Sequence, residues 1–435
     1  MTRVPLRPDG VSRHPAPGGP SRALFLASRT PHRRNDGWAI RTWHLLEALS
    51  HCVDHLEVAF FGTEADLRDA RQALAGIARA VHAVPPPPAY TPLSLLKGLA
   101  LPEPFPVHNL WSPAMADLVR GLSRDVPFDA VQIEDVCMAQ YLRFVARNGA
   151  SPARAPVAVL DMHNVDSQLM DRYARHESGV FKALYARLTT AKLAAAERKV
   201  CEAFDAVLVC SEQDADTLRG HCAPRRLQVV PNGVDCLAFT WDGVVSRARS
   251  LVFTGTLDYH ANVSGLRWFL AEVYPRIRAR LPDVTFEMVG RSPAPALVEA
   301  AKDLPGVSLV GAVPDVRPYV RRAGVVVVPL LVGGGTRLKI LEAFAMGKPV
   351  VSTSLGCEGI AVRQGRDIEI ADAPEAFAAA VVALLGDDAR RESLSRGGLA
   401  TVAAYDWQRV AARVEALYAD LDIRRHGDGQ GERRP

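Results

Sequence analysis

One stretch limits what this chain can fold into more than any other: Val325 to Thr353, VVVVPLLVGGGTRLKILEAFAMGKPVVST. The apolar, β-branched run Val325–Val328 fits a parallel strand covered on both faces. Pro329 ends it, and Gly333, Gly334 and Gly335 let the backbone come close to a neighbour or a ligand. Thr336 is placed to cap a helix over Arg337–Met346, which Gly347 and Pro349 stop before a second buried strand. A helix start behind glycines offers free N–H groups and the positive end of a dipole, which suits a phosphate. Arg337 and Lys339 sit where that dipole disfavours positive charge, so a helix serving only the fold gains little from them. The plain alternative is a strand-to-helix turn that binds nothing; three glycines followed by Thr-Arg-x-Lys favour an anionic ligand. The spacing is neither that of a P-loop nor G-x-G-x-x-G.

A chain of 435 residues should hold about two domains, each able to bury its own core. Apolar content of 48% and charged content of 23% are those of an ordinary globular protein. A net charge of +4 is too small to argue for nucleic acid. Seven cysteines without a C-x-x-C pair suggest reduced thiols in a cytoplasmic protein, not a disulfide framework or a zinc site. The segment 1–20 is basic and rich in Pro and Gly but has no apolar core. It reads as a disordered leader, not a signal peptide. No run is long enough to span a bilayer, and 423–435 reads as a disordered tail.

The first half alternates strand and helix patterns. Strands are expected at Ala23–Ala27, Leu56–Phe61, Val81–Val84, Ala130–Ile133, Val157–Leu160, Ala206–Val209 and Leu227–Val230. Helices are expected from about Ala39 to Ser50 and over Ser178–Phe204. A Pro-rich segment from Pro85 to Pro113 carries Leu95, Leu96, Leu99 and Leu101. The second half restarts with strands at Leu251–Thr254, Thr285–Val289, Val307–Leu309, Val325–Val328 and Pro349–Ser352, with a helix over Val263–Leu281. Three helical segments follow Asp372, the last about Trp407–Leu421. Two such halves imply two doubly wound, Rossmann-like α/β domains facing a cleft, with ligands at the carboxyl ends of strands. The boundaries are 21–235 for the first domain, 236–250 for a linker and 251–405 for the second. A helix over 406–422 either stays with the second domain or returns to the first.

Four strand-end loops of the second half carry glycines that could line one pocket: Gly255, Gly290, Gly311 and Gly333–Gly335. A shared ligand explains four better than one, though turn requirements are the rival. Glu342 lies further along the phosphate-binding helix. It is either an i,i+3 partner of Lys339 on a solvated face or a carboxylate for a ribose diol. In the first half, Asp161, His163 and Asn164 follow a strand that should end at the cleft. Gly37 and Arg41 follow the first strand, where a flexible loop could touch an acceptor. Glu134-Asp135 is an acidic pair without a third carboxylate, so no metal is expected.

These segments carry a resemblance. FTGTLDYHANVSGLRWF, VGAVPDVRPYVRRAGVVVVPL and GGGTRLKILEAFAMGKPVVST, with LDMHN, VLVCSEQDADTL and VVPNGVD before them, resemble the GT-B-fold retaining glycosyltransferases of family 4. The resemblance covers nearly the whole chain, strongest from Leu251. It implies a second domain that binds a nucleotide-diphosphate sugar, with that donor as a substrate and no cofactor. Glu342 would hold the ribose, and the Gly311–Asp315 loop, centred on Val313, would touch the base. Gly255 and Gly290 would line the donor pocket, and Gly334, Gly335, Thr336, Arg337 and Leu338 would meet the diphosphate and sugar. His163 matches the histidine that reaches from the acceptor domain toward the donor sugar.

The chain also departs from that pattern. Many members have a glutamate eight positions before the ribose glutamate, where this chain has Gly334. Many place an arginine and a lysine around the first loop of the second domain. Here Thr256 and Asn262 stand there, Asn262 being better read as a helix N-cap. Arg337 and Lys339 are the candidates to replace the missing cations. The implied reaction is retaining, metal-independent transfer, the leaving phosphate deprotonating a glycan or lipid-linked acceptor, with polysaccharide or glycolipid precursors as the expected products. The alternatives are a nucleotide-sugar 2-epimerase and a non-catalytic GT-B partner subunit. Ser94–Leu101, with Lys97, either rests on the inner face of a membrane or packs on its own domain.

Overall fold

The computed structural model describes residues 22–33, 36–88, 98, 101–145, 155–176, 179–243, 246 and 249–430. Seven strands form the first sheet: β1 (Arg22–Ala27), β2 (His55–Phe61), β3 (Ala80–Val84), β4 (Ala130–Glu134), β5 (Val157–Met162), β6 (Ala206–Val209) and β7 (Leu227–Val229). Their order is β3-β2-β1-β4-β5-β6-β7, and every pairing is parallel. The second sheet holds β8 (Ser250–Thr254), β9 (Thr285–Val289), β10 (Val307–Gly311), β11 (Val325–Val328), β12 (Val350–Ser352) and β13 (Glu369–Ile370). It is also wholly parallel, in the order β10-β9-β8-β11-β12-β13. Each order reverses once, between β1 and β4 and between β8 and β11. At such a point the strand ends open a crevice for ligands.

Parallel sheets of this kind are covered on both faces, and β1 shows it residue by residue. Ala23, Phe25 and Ala27 pack into one core layer, and Leu24 and Leu26 into the layer on the other side. The first of those layers also takes Trp407, Val410, Val414, Leu417, Tyr418 and Leu421 from the last helix, Trp407–Gln430. That helix therefore lies on the first sheet although the chain reaches it from the second. Two stretches cross side by side on the way: Val234 N–H donates to Tyr405 O at 2.9 Å, and Trp407 N–H donates to Val234 O at 3.2 Å.

Several expectations change. The helix expected over Ser178–Phe204 runs Val180–Ala203, and a further helix that was not expected, Asp166–His176, precedes it. The one expected over Val263–Leu281 begins at His260 and widens into a π-turn at Phe269–Val273, just before Pro275. Proline has no N–H for the ordinary helical bond, which accounts for the wide turn. The helix expected to end near Leu421 continues to Gln430, into the segment read as a disordered tail. The leader 1–20 and Leu95, Leu96, Lys97 and Leu99 lie outside the described residues. No described helix is long and apolar enough to cross a membrane.

Candidate active site

The register of β4 against β5 sets Glu134 directly beside Asp161, both wholly buried at the carboxyl end of the first sheet. Two carboxylates so placed repel each other, and the surroundings answer that cost. Arg41, on the helix Gly37–Ser50, donates from Nε to Asp161 Oδ2 at 2.7 Å and from Nη2 to Asp161 Oδ1 at 2.5 Å. Its Nη1 donates to Val230 O at 2.7 Å and to Asn232 Oδ1 at 3.2 Å. Burial raises the Asp161 carboxyl, but the Arg41 and His163 charges and the Arg41 hydrogen bonds together outweigh it and hold the group below its ordinary value. Glu134 has no such partner, and burial, then Asp161, push it up to about 7. Gln132 Nε2 donates to Glu134 Oε1 at 2.8 Å, and Tyr418 Oη donates to Gln132 Oε1 at 2.9 Å. The last helix thus reaches the site through one side chain.

His163 stands over this pair. Its Nε2 lies 3.0 Å from Glu134 Oε2 and 3.3 Å from Asp161 Oδ2. Burial opposes its charged form, but Asp135, Asp161 and Glu134 together raise its pKa. Its ring stacks on Trp38 with centroids 5.5 Å apart. Trp38 Nε1 in turn donates to Asp135 Oδ2 at 2.9 Å, as does Ser28 Oγ at 2.9 Å. Asp135 has a φ of 72°, in the left-handed region, at the point where the sheet order reverses. Strain of that kind in a non-glycine residue clusters at functional sites.

Arg41 was expected to contact an acceptor. It is fully buried and spent on Asp161, so it shapes the site from beneath and cannot reach a ligand. Gly37 begins its helix rather than lying in a flexible loop, capped by Asp36, whose Oδ1 accepts from Ala39 N at 3.0 Å. It faces the other domain, since a Cβ placed on it would lie 3.7 Å from Leu338 Cδ1. Glu134 does find a third acidic neighbour, Asp161. Glu134, Asp161 and His163 each offer an atom within 4.8 Å of the others, a spacing a metal ion could use. Arg41 already donates to both oxygens of Asp161, so a cation there would share that carboxylate with the guanidinium.

In the second domain the helix after the glycine loop runs Leu338–Ala345, one residue shorter at each end than expected. Its N-cap is Arg337 with no side-chain cap bond, so Thr336 is not the cap. Thr336 Oγ1 is buried without a partner, as are Arg337 Nε and Nη2, while Arg337 Nη1 donates to Gly334 O. Burial pulls the Arg337 pKa down. A buried polar group without a partner costs about 1–3 kcal/mol, so three together at a helix start call for an occupant.

Lys339 is the second residue of that helix, two positions after Arg337. Its Nζ donates to Asn262 Oδ1 at 3.2 Å and sits 4.0 Å from the centre of the Phe253 ring. Burial, then Arg337, bring its pKa down to about 7. Asn262 is not the expected N-cap: Tyr259 takes that position, and Asn262 lies within the helix, donating from Nδ2 to Thr256 O at 2.7 Å. Glu342 is partly buried rather than on a solvated face. Burial pushes it up to about 7 against the pull of Lys339.

The glycines divide by cause. A Cβ on Gly290 would meet Gly255 O at 1.7 Å, so packing alone demands that glycine. A Cβ on Gly255 would meet Lys339 Nζ at 2.8 Å, so that glycine makes room for the lysine. Val313 packs against the second core from the Gly311–Asp315 loop, which Arg317 ties to Ala238 O at 2.9 Å. Across the cleft, a Cβ on Gly335 would lie 3.0 Å from Asn164 Oδ1. Asn164, Gln168, Arg172, Gly334, Gly335 and Glu358 line one pocket built from both domains. Arg172 and Glu358 had no mark in the sequence; only their place on the cleft singles them out.

Known proteins give this geometry its context. A family model described as a glycosyl transferase 4-like domain matches residues 36–233, and one described as glycosyl transferases group 1 matches 248–387. A phosphatidyl-myo-inositol mannosyltransferase of Mycolicibacterium smegmatis is 32% identical over 199 residues, 43% of this chain and 50% of that protein. An uncharacterized 44.6 kDa protein in the cps region of Klebsiella pneumoniae is 24% identical over 255 residues, 57% of this chain and 64% of that one. The chain thus spans half to nearly two-thirds of the length of these curated relatives. Among solved structures, sucrose-phosphate synthase from Thermosynechococcus elongatus superposes with a TM-score of 0.68 at 17% identity, covering 92% of this chain and 99% of that one. Anabaena HepE in complex with UDP-glucose gives 0.62 at 15% identity over 92% and 100%. At those identities the structures speak for the fold alone, and the fold is GT-B. The two adjoining family matches and the two facing parallel sheets lead to one conclusion: the chain belongs to the group 1 glycosyltransferases, family 4.

Proposed function

We propose that this chain transfers a sugar from a nucleotide-diphosphate sugar to a hydroxylated acceptor, a polysaccharide or glycolipid precursor, with retention and without a metal. The observation that carries this is the buried Arg337 guanidinium, with Nε and Nη2 unpartnered beside an unpartnered Thr336 Oγ1 behind the glycine loop. Such preorganised donors stabilise charge that develops on a leaving group. Lys339 adds a second cation from two residues further along. It approaches Gly255 and Asn262, beside the loop where relatives often keep their own cations. In this reading Glu342 binds the ribose diol and the Val313 loop meets the base.

The step itself breaks the bond between the anomeric carbon and the diphosphate oxygen and forms one to the acceptor oxygen. The acceptor proton passes to the leaving phosphate. Charge builds on the diphosphate as the sugar becomes oxocarbenium-like, and Arg337, Lys339 and the loop N–H groups meet it. His163, held by Glu134 and stacked on Trp38, orients the donor sugar and brings a positive field to the cleft. The relatives' printed activities and ligands, mannosyl transfer and UDP-glucose, agree with a donor of this class.

A thermal-shift panel of UDP, GDP, ADP and their sugars tests the reading, since a bound ligand stabilises by RT ln(1 + [L]/Kd). One nucleotide should raise the melting temperature, and its sugar should be hydrolysed slowly with the same anomer released, in EDTA as well as in buffer. No shift with any nucleotide sinks the proposal. Epimerisation at C2 without a second substrate would replace it with the isomerase reading.

A further inference from the structure

A forked ion pair spans the cleft. Arg172, on the helix Asp166–His176 of the first domain, sets Nη1 2.5 Å from Glu358 Oε2 and Nη2 2.5 Å from Glu358 Oε1. Glu358 follows β12 in the second domain. The same Nη1 donates to the Gly333 carbonyl at 3.3 Å. One guanidinium from the first domain therefore grips two separate segments of the second, and its planar fork fixes their relative placement. Both side chains are mostly withdrawn from solvent, 25% and 16% exposed, so water screens the pair only in part.

The glycine loop needs such a hold. Gly333 and Gly335 have φ values of 113° and 75°, and the helix behind them starts without a side-chain cap. Two of its carbonyls are each held by a guanidinium: Gly334 O by Arg337, and Gly333 O by Arg172. In a trans peptide the C=O and the following N–H point in opposite directions. Holding Gly333 O toward the first domain turns the Gly334 N–H away from it. Glu358 attracts, and Arg172 repels, the Arg337 guanidinium, so the pair lies in the field of the phosphate site.

We propose that Arg172 and Glu358 form a latch that closes the cleft and, through the Gly333 carbonyl, sets the glycine loop for the donor diphosphate. Arg172 is thus a positioning residue for a ligand held by the other domain. The loop part rests on the donor reading; the latch itself does not.

The test measures UDP and GDP binding, and the small-angle-scattering radius of the nucleotide-free protein, for wild type, R172E, E358R and the double R172E/E358R. Each single variant should enlarge the radius and weaken the nucleotide that wild type binds by roughly tenfold, a usual size for coupling between two sites. The double should regain the compact radius but only part of the affinity, because a glutamate at 172 cannot donate to Gly333. An unchanged radius in both single variants overturns the latch. Unchanged affinity in them, or full recovery of affinity in the double, overturns the route through the carbonyl. If wild type binds neither nucleotide, the donor reading fails and the radius alone decides the latch.

Discussion

The two domains share one strand order and both open at its reversal, yet the two openings are chemical opposites. At the β1/β4 end, Glu134, Asp135 and Asp161 gather with His163, and nearly every oxygen has a named donor. At the β8/β11 end, Arg337, Lys339 and Thr336 gather, and three of their polar atoms have no partner. A satisfied acidic site holds its shape unaided and suits a neutral, hydroxyl-bearing ligand. An unsatisfied basic site is complete only with an anion in it. Topology decides where a ligand goes; the balance of satisfied and orphaned groups decides which.

The largest expected effect breaks the acidic side. Arg41→Met leaves Asp161 and Glu134 adjacent and buried with no cation beneath them, and should cost about 3–5 kcal/mol in urea unfolding. A loss below about 1 kcal/mol would mean the pair is looser than the geometry says. Arg337→Ala attacks the basic side and should behave in the opposite way. Donor turnover should fall roughly 100-fold or more, as when one charge-stabilising donor is lost. The melting temperature should hold or rise, because orphaned N–H groups leave with the side chain.

A pH series sharpens the contrast. Lys339 titrates near 7 in the empty site, and a diphosphate favours its charged form. Nucleoside diphosphate affinity should therefore be highest below pH 7 and fall as pH rises toward 9, by up to about tenfold per unit. In Lys339→Met the fall should vanish and the affinity should be low throughout. A wild-type affinity flat from pH 6 to 9 would remove Lys339 from the site. The smallest effect separates two neighbours in the loop. Gly335→Ala must adopt a φ of 75° and should lose about 1–2 kcal/mol. Gly334→Ala meets only Asn164 and Leu169 at 3.4 Å and should change stability by less than about 0.5 kcal/mol.

Strands were legible where burial on both faces makes an unbroken apolar run; β6 and β11 begin and end where that run does. The edge strand β13 was not, since it is two residues long and one of them is Glu369. The glycine loop, with Arg337 and Lys339, was legible as a cluster because its parts are local: glycines, a helix start and cations within a few residues. Capping was misjudged at Thr336 and Asn262. A cap depends on where the helix begins, and both residues fell one or more positions from that point.

What the sequence determined by itself is the class of fold, the two-part organisation and the family, because apolar periodicity and short motifs are properties of neighbouring residues. The tertiary structure decided the rest. The β4/β5 register brought Glu134 and Asp161 together, and buried contact made Arg41 a support beneath them. The return of the last helix set Tyr418 on Gln132 across 286 positions. Closure of the cleft set Arg172 on Glu358 across 186. Each of these joins groups far apart in the chain, and only the packing of one sheet layer or domain on another fixes such a distance.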